Sequence, residues 1–287
     1  MRRPAGPAYG GAPFGNGSIE LMQVTAPRHR RVGPINWIGL WTLYHKEVWR
    51  FVKVSTQTVV APVVTSLLFL AIFSLALGRS VQQIGGVSFA EFLAPGLVMM
   101  SMVQNSFANT SSSLVIAKVQ GSIVDLLMPP LSPGEIVLAF AFGGLTRGLA
   151  VGLAAVSGMS LFVPILLHDV GMILFHAVAA SLLLAQLGIL GGIWAEKFDH
   201  IAAVTNFVVT PFAFLSGAFY SVERLPDPWH AIAHANPFFY MIDGFRYGFI
   251  GHADGSLPAG VAVLLVANGL LLWLNWHLFS IGYKTRP

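Results

Sequence analysis

The chain has 287 residues, of which 55% are hydrophobic and 10% charged, with a formal net charge of +4 and no cysteine. Its mean hydropathy is +0.71. Soluble domains carry about 25% charged residues, so this composition excludes a soluble globular protein and indicates a polytopic membrane protein. The lack of cysteine excludes disulfide bonds and thiolate metal sites. Apolar runs of about 20 residues take up most of the length, so we expect no large extramembrane domain.

The amino-terminal part of the chain divides into a tail and a helix. Residues 1–33 are rich in Gly, Pro, Ala and Arg without a period, which predicts a disordered basic tail and not a signal peptide. Residues 34–56 predict an amphipathic helix at the membrane interface, with Lys46, Arg50 and Lys53 opposite the apolar positions. Those apolar positions recur at steps of three and four: Trp37, Leu40, Trp41, Tyr44, Val48 and Phe51.

Six apolar segments follow, which predicts an all-α integral membrane domain of six transmembrane helices over residues 57–287. The second crossing, about 92–116, is unusually polar and contains Gln104, Asn105 and Asn109. Amides and hydroxyls within a membrane helix bond to neighbouring helices or face a hydrated path. We therefore predict that these side chains hold the bundle together, with substrate contact as the alternative.

A short segment after the second crossing, residues 117–133, is amphipathic and ends in three prolines. It has room for about two helical turns and is too short to cross a bilayer. The sequence predicts a small helix on the same side as the basic tail, on which a cytoplasmic partner can act. Its candidate contact residues are Lys118, Gln120, Val124, Asp125 and Leu127.

The third crossing, about 135–161, carries Gly144, Gly148 and Gly152 at steps of four. Small residues at this spacing predict a seam that another helix approaches closely. Arg147 lies next to the seam, deep in the apolar run, where a charge is costly. Two interpretations stay open for Arg147: a functional group, or a packing device neutralised by a buried carboxylate or by carbonyl groups.

The stretch between the fifth and sixth crossings is apolar and aromatic but broken by Pro226, Pro228 and Pro237. These prolines exclude one straight spanning helix. Irregular backbone at membrane depth occurs only against protein or a water-filled cavity. We therefore predict a re-entrant, pore-facing or gate-forming segment over residues 221–250.

The basic residues predict the orientation of the chain. Of the 16 Lys and Arg residues, Arg79, Arg224 and Arg246 fall on one side of the membrane, Arg147 falls within it, and the others fall on the opposite side. Since Lys and Arg accumulate in cytoplasmic loops, both termini and residues 117–133 are expected in the cytoplasm. This distribution accounts for the basic residues, so we predict no nucleic-acid partner.

Sequence motifs give no indication of an enzyme. A phosphate-binding loop, Gly-x-x-x-x-Gly-Lys-Ser/Thr, is absent, and the nearest approach is the segment 282–285. His230 and His234 have a spacing that two metal ligands can share, but the motif of a metalloprotease is not completed. The sequence therefore predicts a protein with no catalytic residue and no metal site.

Several motifs of the chain resemble the permease subunits of ABC type-2 exporters. The likeness runs from about Ile35 to the end, and it is strongest for the YadH-like branch, which is related to nodulation lipo-oligosaccharide exporters. The branch resemblance rests on residues 92–97, 125–133 and 244–248. The family signature near the fifth and sixth crossings is matched by Leu215-Ser216-Gly217, Pro226, Pro237-Phe238, Tyr240 and Arg246.

The resemblance implies a homodimeric permease that exports an amphipathic, lipid-like or glycan-containing substrate or a drug across the bacterial inner membrane. Two copies of a separate ATPase would bind ATP and Mg²⁺, and this chain itself would bind no cofactor. Residues 117–133 would be the coupling helix, and residues 221–250 an external re-entrant helical hairpin. The implied gate residues are Gly217, Pro226, Pro237, Tyr240 and Arg246.

One alternative function remains open at this point. An ion-coupled secondary transporter or a channel would work without an ATPase and would use Arg147 and the broken helix as its site. Such carriers usually bury acidic or histidine relays at mid-membrane. Here Asp and Glu fall at predicted loops and helix ends, and His176 is the one candidate relay, so the sequence favours the exporter.

Overall fold

The computed structural model describes residues 35–78, 83–84 and 86–284, and the side chains of Leu77 and Leu127 lie outside this description. The predicted tail, residues 1–33, and Arg79 are also outside it. The described part is mostly helical. Its α-helices are α1 Trp37–Val52, α2 Ala61–Leu77, α3 Phe89–Val119, α4 Ile123–Leu127, α5 Pro133–Met159, α6 Val170–Trp194, α7 Phe198–Val204, α8 Thr210–Leu215, α9 Trp229–Ala235, α10 Pro237–Ile250 and α11 Leu257–Ile281.

Within the described residues, five helical segments are long and apolar enough to cross a membrane. The expected second crossing lies in α3, which has 31 residues and is about 46 Å long, but its composition is too polar for it to be counted among them. Most residues of α3 are buried, so its polar side chains face protein and not lipid. The five segments are Thr56–Ala76, Pro133–Met159, Val170–Trp194, Phe198–Leu215 and Leu257–Ile281.

Close packing of α5 against α3 and α6 forms the centre of the bundle, and the glycine seam predicted on α5 is confirmed. A Cβ atom on Gly144 would lie 2.6 Å from the Ala185 Cβ atom of α6. One on Gly148 would lie 2.1 Å from the Ser106 hydroxyl oxygen of α3. Because neither position has room for a side chain, α5 packs closely against α3 and α6 at these glycines.

The segment between α2 and α3 departs from the all-α expectation. Gln83–Ile84 and Val87–Ser88, β1 and β2, pair antiparallel as a short hairpin, with Gln83 opposite Ser88. The Ser88 hydroxyl oxygen accepts a hydrogen bond from the Glu91 N–H, and the Glu91 carboxylate accepts one from the Ser88 N–H. This capping box satisfies backbone donors at the start of α3.

Two of the apolar spans contain a π-helical turn: Thr56–Val60 begins one span, before α2, and Thr205–Val209 lies within the other, between α7 and α8. Each turn is followed by a proline, Pro62 or Pro211, near the start of the next α-helix. Proline has no N–H to bond to the carbonyl four residues earlier, so the α-helical hydrogen-bond pattern is interrupted there. The wider π-helical turn accommodates that interruption.

The carboxyl end of α6 is capped by two lysines that are distant in the sequence. The Lys118 ammonium group donates to the Ile193 and Ala195 carbonyl oxygens, and the Lys284 ammonium group donates to the Trp194 carbonyl oxygen, 3.3 Å away. The negative end of the helix dipole stabilises cations at this position. Lys284 also hydrogen-bonds to Glu196 and holds the pKa of that carboxyl below its usual value.

The broken stretch consists of a 3₁₀ turn, Val222–Arg224, followed by α9 and α10. α10 packs against α3, α6 and α11, and most of its residues are buried. With 14 residues it is about 21 Å long, too short to cross a bilayer. It ends at Gly251, whose φ of 72° is a left-handed conformation that glycine adopts without strain.

The glycine seam gives a direct test of the central packing. We expect Gly148→Ala to destabilise the protein by about 1–3 kcal/mol, because the new methyl group would overlap the Ser106 hydroxyl. The matched control is Gly134→Ala in the first turn of α5, where the nearest atom to the new Cβ is 3.8 Å away. Thermal unfolding in detergent micelles measures both variants. Equal unfolding temperatures for Gly148→Ala and the wild-type protein would contradict the close approach.

Candidate functional site

The predicted coupling segment, residues 117–133, forms one very short helix. Its first three residues complete α3, and the ordered helix within it, α4, has only five residues. The structure therefore corrects the expected length of two turns, because the turn at Gly121, with a φ of 71°, separates α3 from α4. The segment lies where α3 ends and α5 begins, and we call this end of the bundle the α4 end.

The five candidate contact residues have different surroundings. Gln120, Val124 and Asp125 are exposed, and Asp125 makes no side-chain hydrogen bond to the described residues. Lys118 does not belong to this surface, because its ammonium group caps α6. Leu127 ends α4, and its side chain lies outside the described part of the chain.

A carboxylate that the sequence analysis did not single out, Glu135, ties three segments together at the α4 end. One of its oxygens accepts from the Ser132 N–H at 2.6 Å and the other from the Asn36 N–H at 2.5 Å. Ser132 and Asn36 are the N-caps of α5 and α1. The Asn36 side chain also donates to the Pro130 carbonyl oxygen, 3.2 Å away. We call this group the Glu135 clasp; it joins α1, the loop after α4 and the start of α5.

α1 packs along α5, and its buried face differs from the predicted one. Its buried residues are Leu43, Glu47 and Phe51, whereas Trp37 and Trp41 are exposed. The sequence placed Arg50 on the outer polar face, and this was wrong. An acid on the apolar side of the helix, Glu47, is the signal that sequence reasoning missed.

Glu47 and Arg50 meet the polar half of α3 in a buried cluster. The guanidinium group of Arg50 lies 3.2 Å from the Glu47 carboxylate and donates to the Asn109 side-chain oxygen at 3.0 Å. The other Glu47 oxygen accepts from the Ser113 hydroxyl at 2.8 Å. Burial of an ion pair is tolerated when hydrogen bonds satisfy its remaining atoms. α3 provides several of these bonds, but the Arg50 Nε–H has no partner among the described residues. These contacts link Asn109 of α3 to α1, the kind of contact expected of a side chain that holds the bundle together.

Arg147 lies next to this cluster and has an amide partner. Its guanidinium group donates to the Asn105 side-chain oxygen at 2.8 Å, and among the described residues it forms no ion pair. Asn105 in turn donates to the Ser101 carbonyl oxygen within α3. The partner of Arg147 among the described residues is thus an amide, and not a carboxylate or a carbonyl group. Gln104 is half-buried and makes no side-chain hydrogen bond to the described residues.

At the other end of the bundle, Arg246 is fully buried. Its guanidinium group donates to the Gly217 carbonyl oxygen at 2.7 Å and to the Phe92 carbonyl oxygen at 3.3 Å, and it lies 3.9 Å from the centre of the Phe92 ring. The sequence had placed Arg246 among the external flanking charges; instead it joins α10 to α3 and to the turn after α8. Two members of the gate signature, Gly217 and Arg246, are thus in direct contact.

The other three signature residues lie apart from Arg246. Pro226 is exposed before α9, and Pro237 is the first residue of α10. Tyr240 packs over Gly260 at the start of α11, where a Cβ atom would lie 3.3 Å from its ring. Proline at the first helical position fits because its missing N–H would have no helical partner.

Two carboxylates close the loop that follows α10. Asp243 accepts hydrogen bonds from the Asp254 and Gly255 N–H groups, at 2.7 and 3.0 Å. Asp254 accepts from the Val222 N–H at 2.7 Å. These bonds fix the 3₁₀ turn and the loop before α11 against α10. Sequence reasoning did not identify either residue.

The histidines of the chain form no centre for chemistry in the described residues. The His230 and His234 rings are 4.3 Å apart in α9, and no group of three potential metal ligands is found in the described ranges. His176 is buried against Gly244 of α10, and its ring Nδ1 donates to the Met172 carbonyl oxygen, 2.9 Å away. Because a carbonyl oxygen can only accept, that nitrogen carries the proton.

The charge of the buried cluster can be tested by Glu47→Gln. We expect a loss of about 1–3 kcal/mol in stability, because Arg50 and Arg147 would face each other without a neighbouring carboxylate. We expect a smaller loss than the about 3–5 kcal/mol that follows when one partner of a fully buried ion pair is removed, since 27% of the Arg50 side chain is exposed. The exposed Lys46→Gln on the same helix is the control and should change stability by less than about 0.5 kcal/mol. Thermal unfolding that affects both variants alike would refute the role of the ion pair.

Comparison with known proteins agrees with this geometry. The model of the ABC-2 type transporter family matches residues 39–250. The chain is 37% identical over 250 residues to the inner membrane transport permease YadH of Escherichia coli K12, covering 87% of this chain and 98% of that protein.

A second, more distant relative is nodulation protein J of Rhizobium leguminosarum bv. trifolii. It is 27% identical over 239 residues, which cover 82% of this chain and 88% of that protein. The family match spans most of the chain and contains α3, Glu135 and Arg246. The chain therefore belongs to the ABC-2 type transporter family, as a permease of the inner membrane with several membrane-spanning helices.

Proposed function

We propose that this chain is the transmembrane subunit of an ATP-driven exporter, in which a separate ATPase acts on the α4 end. Permeases of the ABC-2 family typically work with an ATPase partner. The observation that carries the proposal for this chain is the Glu135 clasp, which joins the exposed α4 segment to α1 and α5. A force applied at α4 would reach two helices of the bundle through one set of hydrogen bonds.

In this proposal α3 crosses the membrane in addition to the five apolar segments, so the chain has six crossings. With 31 residues, α3 is longer than a bilayer is thick. Its burial among α5, α6 and α10 keeps its polar side chains away from lipid. Six crossings place both termini on one side. The excess of Lys and Arg on that side assigns it to the cytoplasm, so the α4 end is cytoplasmic and Arg246 lies towards the outside.

The α4 end has the features of a docking surface. Val124 and Met128 are 43% and 77% exposed, and the exposed Asp125 lies between them in the sequence. Exposed apolar side chains are unfavourable in water, and together with an unpaired charge they suit a contact with another protein. Neighbouring Leu126 is buried and anchors α4 to the bundle.

The path for the substrate would lie between two copies of this chain. In three apolar segments, Thr56–Ala76, Phe198–Leu215 and Leu257–Ile281, only 11% of the residues are buried within one copy, which leaves these segments free to contact a second copy or lipid. The first two contain a π-helical turn followed by proline, and such turns often occur at functional positions. We assign these two segments, with α3, to the route.

The outer end would be closed by α9 and α10 as a re-entrant helical hairpin. Arg246 holds α10 to the start of α3 and to Gly217, and the Asn236 side chain holds it to the Phe212 carbonyl oxygen at 2.7 Å. The aromatic side chains of this region suit an amphipathic cargo, and we propose a lipid-like or glycan-containing molecule or a drug.

An ion-coupled carrier or a channel is less well supported. Arg147 is bonded to Asn105 and lies in the interior of the bundle, and Glu47 is paired to Arg50. Neither forms the acidic relay that proton or sodium coupling requires at mid-membrane. The affinity experiment below separates the two functions.

Affinity purification from the native membrane in mild detergent tests the proposed function. We expect a soluble protein with a phosphate-binding loop to co-purify with the chain, and the eluate to hydrolyse ATP. If the folded chain is recovered without such a protein and without ATP hydrolysis, the exporter proposal fails and the ion-coupled carrier takes its place.

The docking surface is tested by Asp125→Arg. Reversal of this exposed charge at the proposed contact should weaken ATPase binding by about tenfold, equivalent to about 1.4 kcal/mol. Glu223→Arg, also exposed but at the opposite end, is the control and should bind the ATPase like the wild-type chain. Membrane insertion and thermal unfolding of both variants should match those of the wild-type chain. Unchanged ATPase affinity of Asp125→Arg would exclude this surface.

A further inference from the structure

One face of α3 is left partly open by the helices around it. Over residues 92–115 every other position is buried, and the four that are not recur at steps of three and four: Ser101, Gln104, Ala108 and Ser112. Residues at these steps share one face of a helix. Three of the four are polar, and side chains of this kind do not face hydrocarbon. This face, which we call the α3 stripe, therefore needs a polar environment within the membrane.

Two guanidinium groups border the α3 stripe. Arg50 of α1 donates to the Ser112 hydroxyl oxygen at 3.3 Å. Arg147 of α5 donates to the side-chain oxygen of Asn105, the residue after Gln104, at 2.8 Å. Asn105 lies about 21 Å along α3 from its last residue, close to the middle of this 31-residue helix. Arg147 is therefore near the middle of the bilayer.

The charges around the α3 stripe do not balance. Glu47 is the carboxylate of this cluster, and its two oxygens are taken by Arg50 and the Ser113 hydroxyl. The ion pairs found among the described residues leave Arg147 without an acidic partner. The cluster thus carries one positive charge in excess. A charge without a counter-charge at this depth is costly, and such positions are functional by default.

Arg147 and Gln104 both have polar atoms that a ligand can reach. The Arg147 side chain is partly exposed: its Nη2 is bonded to Asn105 and its Nε is covered, but its Nη1 is not covered and makes no hydrogen bond to the described residues. The Gln104 side chain is also partly exposed and makes no such bond. Two accessible donors therefore lie beside each other on the open face of α3.

The excess charge restricts which ligand fits. A cation would be repelled by Arg147, and a neutral polar group would satisfy the hydrogen bonds but not the charge. An anion satisfies both, and the planar guanidinium group matches the oxygens of a phosphate or a carboxylate. Apolar surface is close by, because α2 packs beside the stripe, where the Ser66 hydroxyl lies 2.5 Å from the Ser101 hydroxyl.

We propose that the α3 stripe binds the anionic group, a phosphate or a carboxylate, of an amphipathic cargo. Arg147 pairs with the anion, and the Gln104 amide donates a second hydrogen bond to it. The apolar part of the cargo contacts the apolar spans beside α3. The inference rests on the proposed function, in which α3 lines the transport route, and it adds the charge of the cargo.

Binding of dodecyl phosphate to the full chain tests the anion site. The chain is kept in dodecyl maltoside micelles, which supply an excess of a neutral amphiphile with the same alkyl chain, and bound radiolabelled dodecyl phosphate is measured by scintillation proximity. We expect saturable binding, and Arg147→Gln should weaken it at least about tenfold, because charge-assisted hydrogen bonds are lost. The control Arg224→Gln removes an exposed charge outside the cluster and should bind like the wild-type chain.

Two further measurements separate binding from a structural role. Arg147→Gln should unfold at the wild-type temperature or above it, because it removes a charge that has no acidic partner. Gln104→Leu should weaken dodecyl phosphate binding about threefold, as the loss of one net hydrogen bond predicts. This second variant tests the site even if Arg147→Gln does not fold.

Inorganic phosphate separates an amphipathic cargo from a free anion. It should displace the label at least about tenfold less well than unlabelled dodecyl phosphate, because it lacks the apolar chain. Equal displacement would overturn the amphipathic cargo. The anion site itself is overturned if the wild-type chain shows no saturable binding, or if folded Arg147→Gln, or Gln104→Leu in its place, binds with unchanged affinity. The assay contains no ATPase, so its failure is distinct from failure of the exporter proposal.

Discussion

The polar half of α3 must be satisfied inside the protein, and the rest of the bundle is arranged to meet this requirement. No water is available at membrane depth, and an unpaired amide or hydroxyl there costs several kcal/mol. α5 and α6 approach α3 closely enough at their glycines to bury its hydroxyl groups. The Thr110 hydroxyl, for example, donates to the Ala185 carbonyl oxygen of α6 at 2.7 Å.

The same requirement explains the position of α1. The Asn109 and Ser113 side chains of α3 form hydrogen bonds with the Arg50 and Glu47 side chains of α1, although the Asn109 amide nitrogen has no partner among the described residues. An amphipathic helix therefore does more than lie at the bilayer surface. It contributes charged groups to the interior, and the Glu135 clasp fixes its N-cap residue, Asn36, to α5. α1 is thus positioned at both ends, which makes it a stiff link between the α4 end and the bundle.

The attachment of α11 is different in kind. It is held to α6 mainly through Asn268 and Asn275 and buries few side chains, so its contact with α5 is incomplete. Hydrogen bonds of side-chain amides hold this helix without close packing, and an apolar space remains between α5 and α11. A bundle can therefore combine a tightly packed centre, where glycines admit no side chain, with a peripheral helix that packs loosely.

The sequence by itself determined the membrane class, the apolar spans, the glycine seam of α5 and the break between α8 and α10. These follow from composition, spacing and proline, which act locally and can be read along one segment. The family resemblance also came from motifs in the sequence, and the match over residues 39–250 confirmed it.

Only the tertiary structure decided the partners of the charged residues. Arg50 contacts Asn109, Lys118 caps α6, and Arg246 lies against Phe92. In each case the partner belongs to a helix that is distant in the sequence. Periodicity assigns a charge to a face of its own helix, but burial of that face is set by the neighbouring helices. In an environment without water, a charged side chain lies where hydrogen-bond partners are available, and those partners become neighbours only when the helices pack.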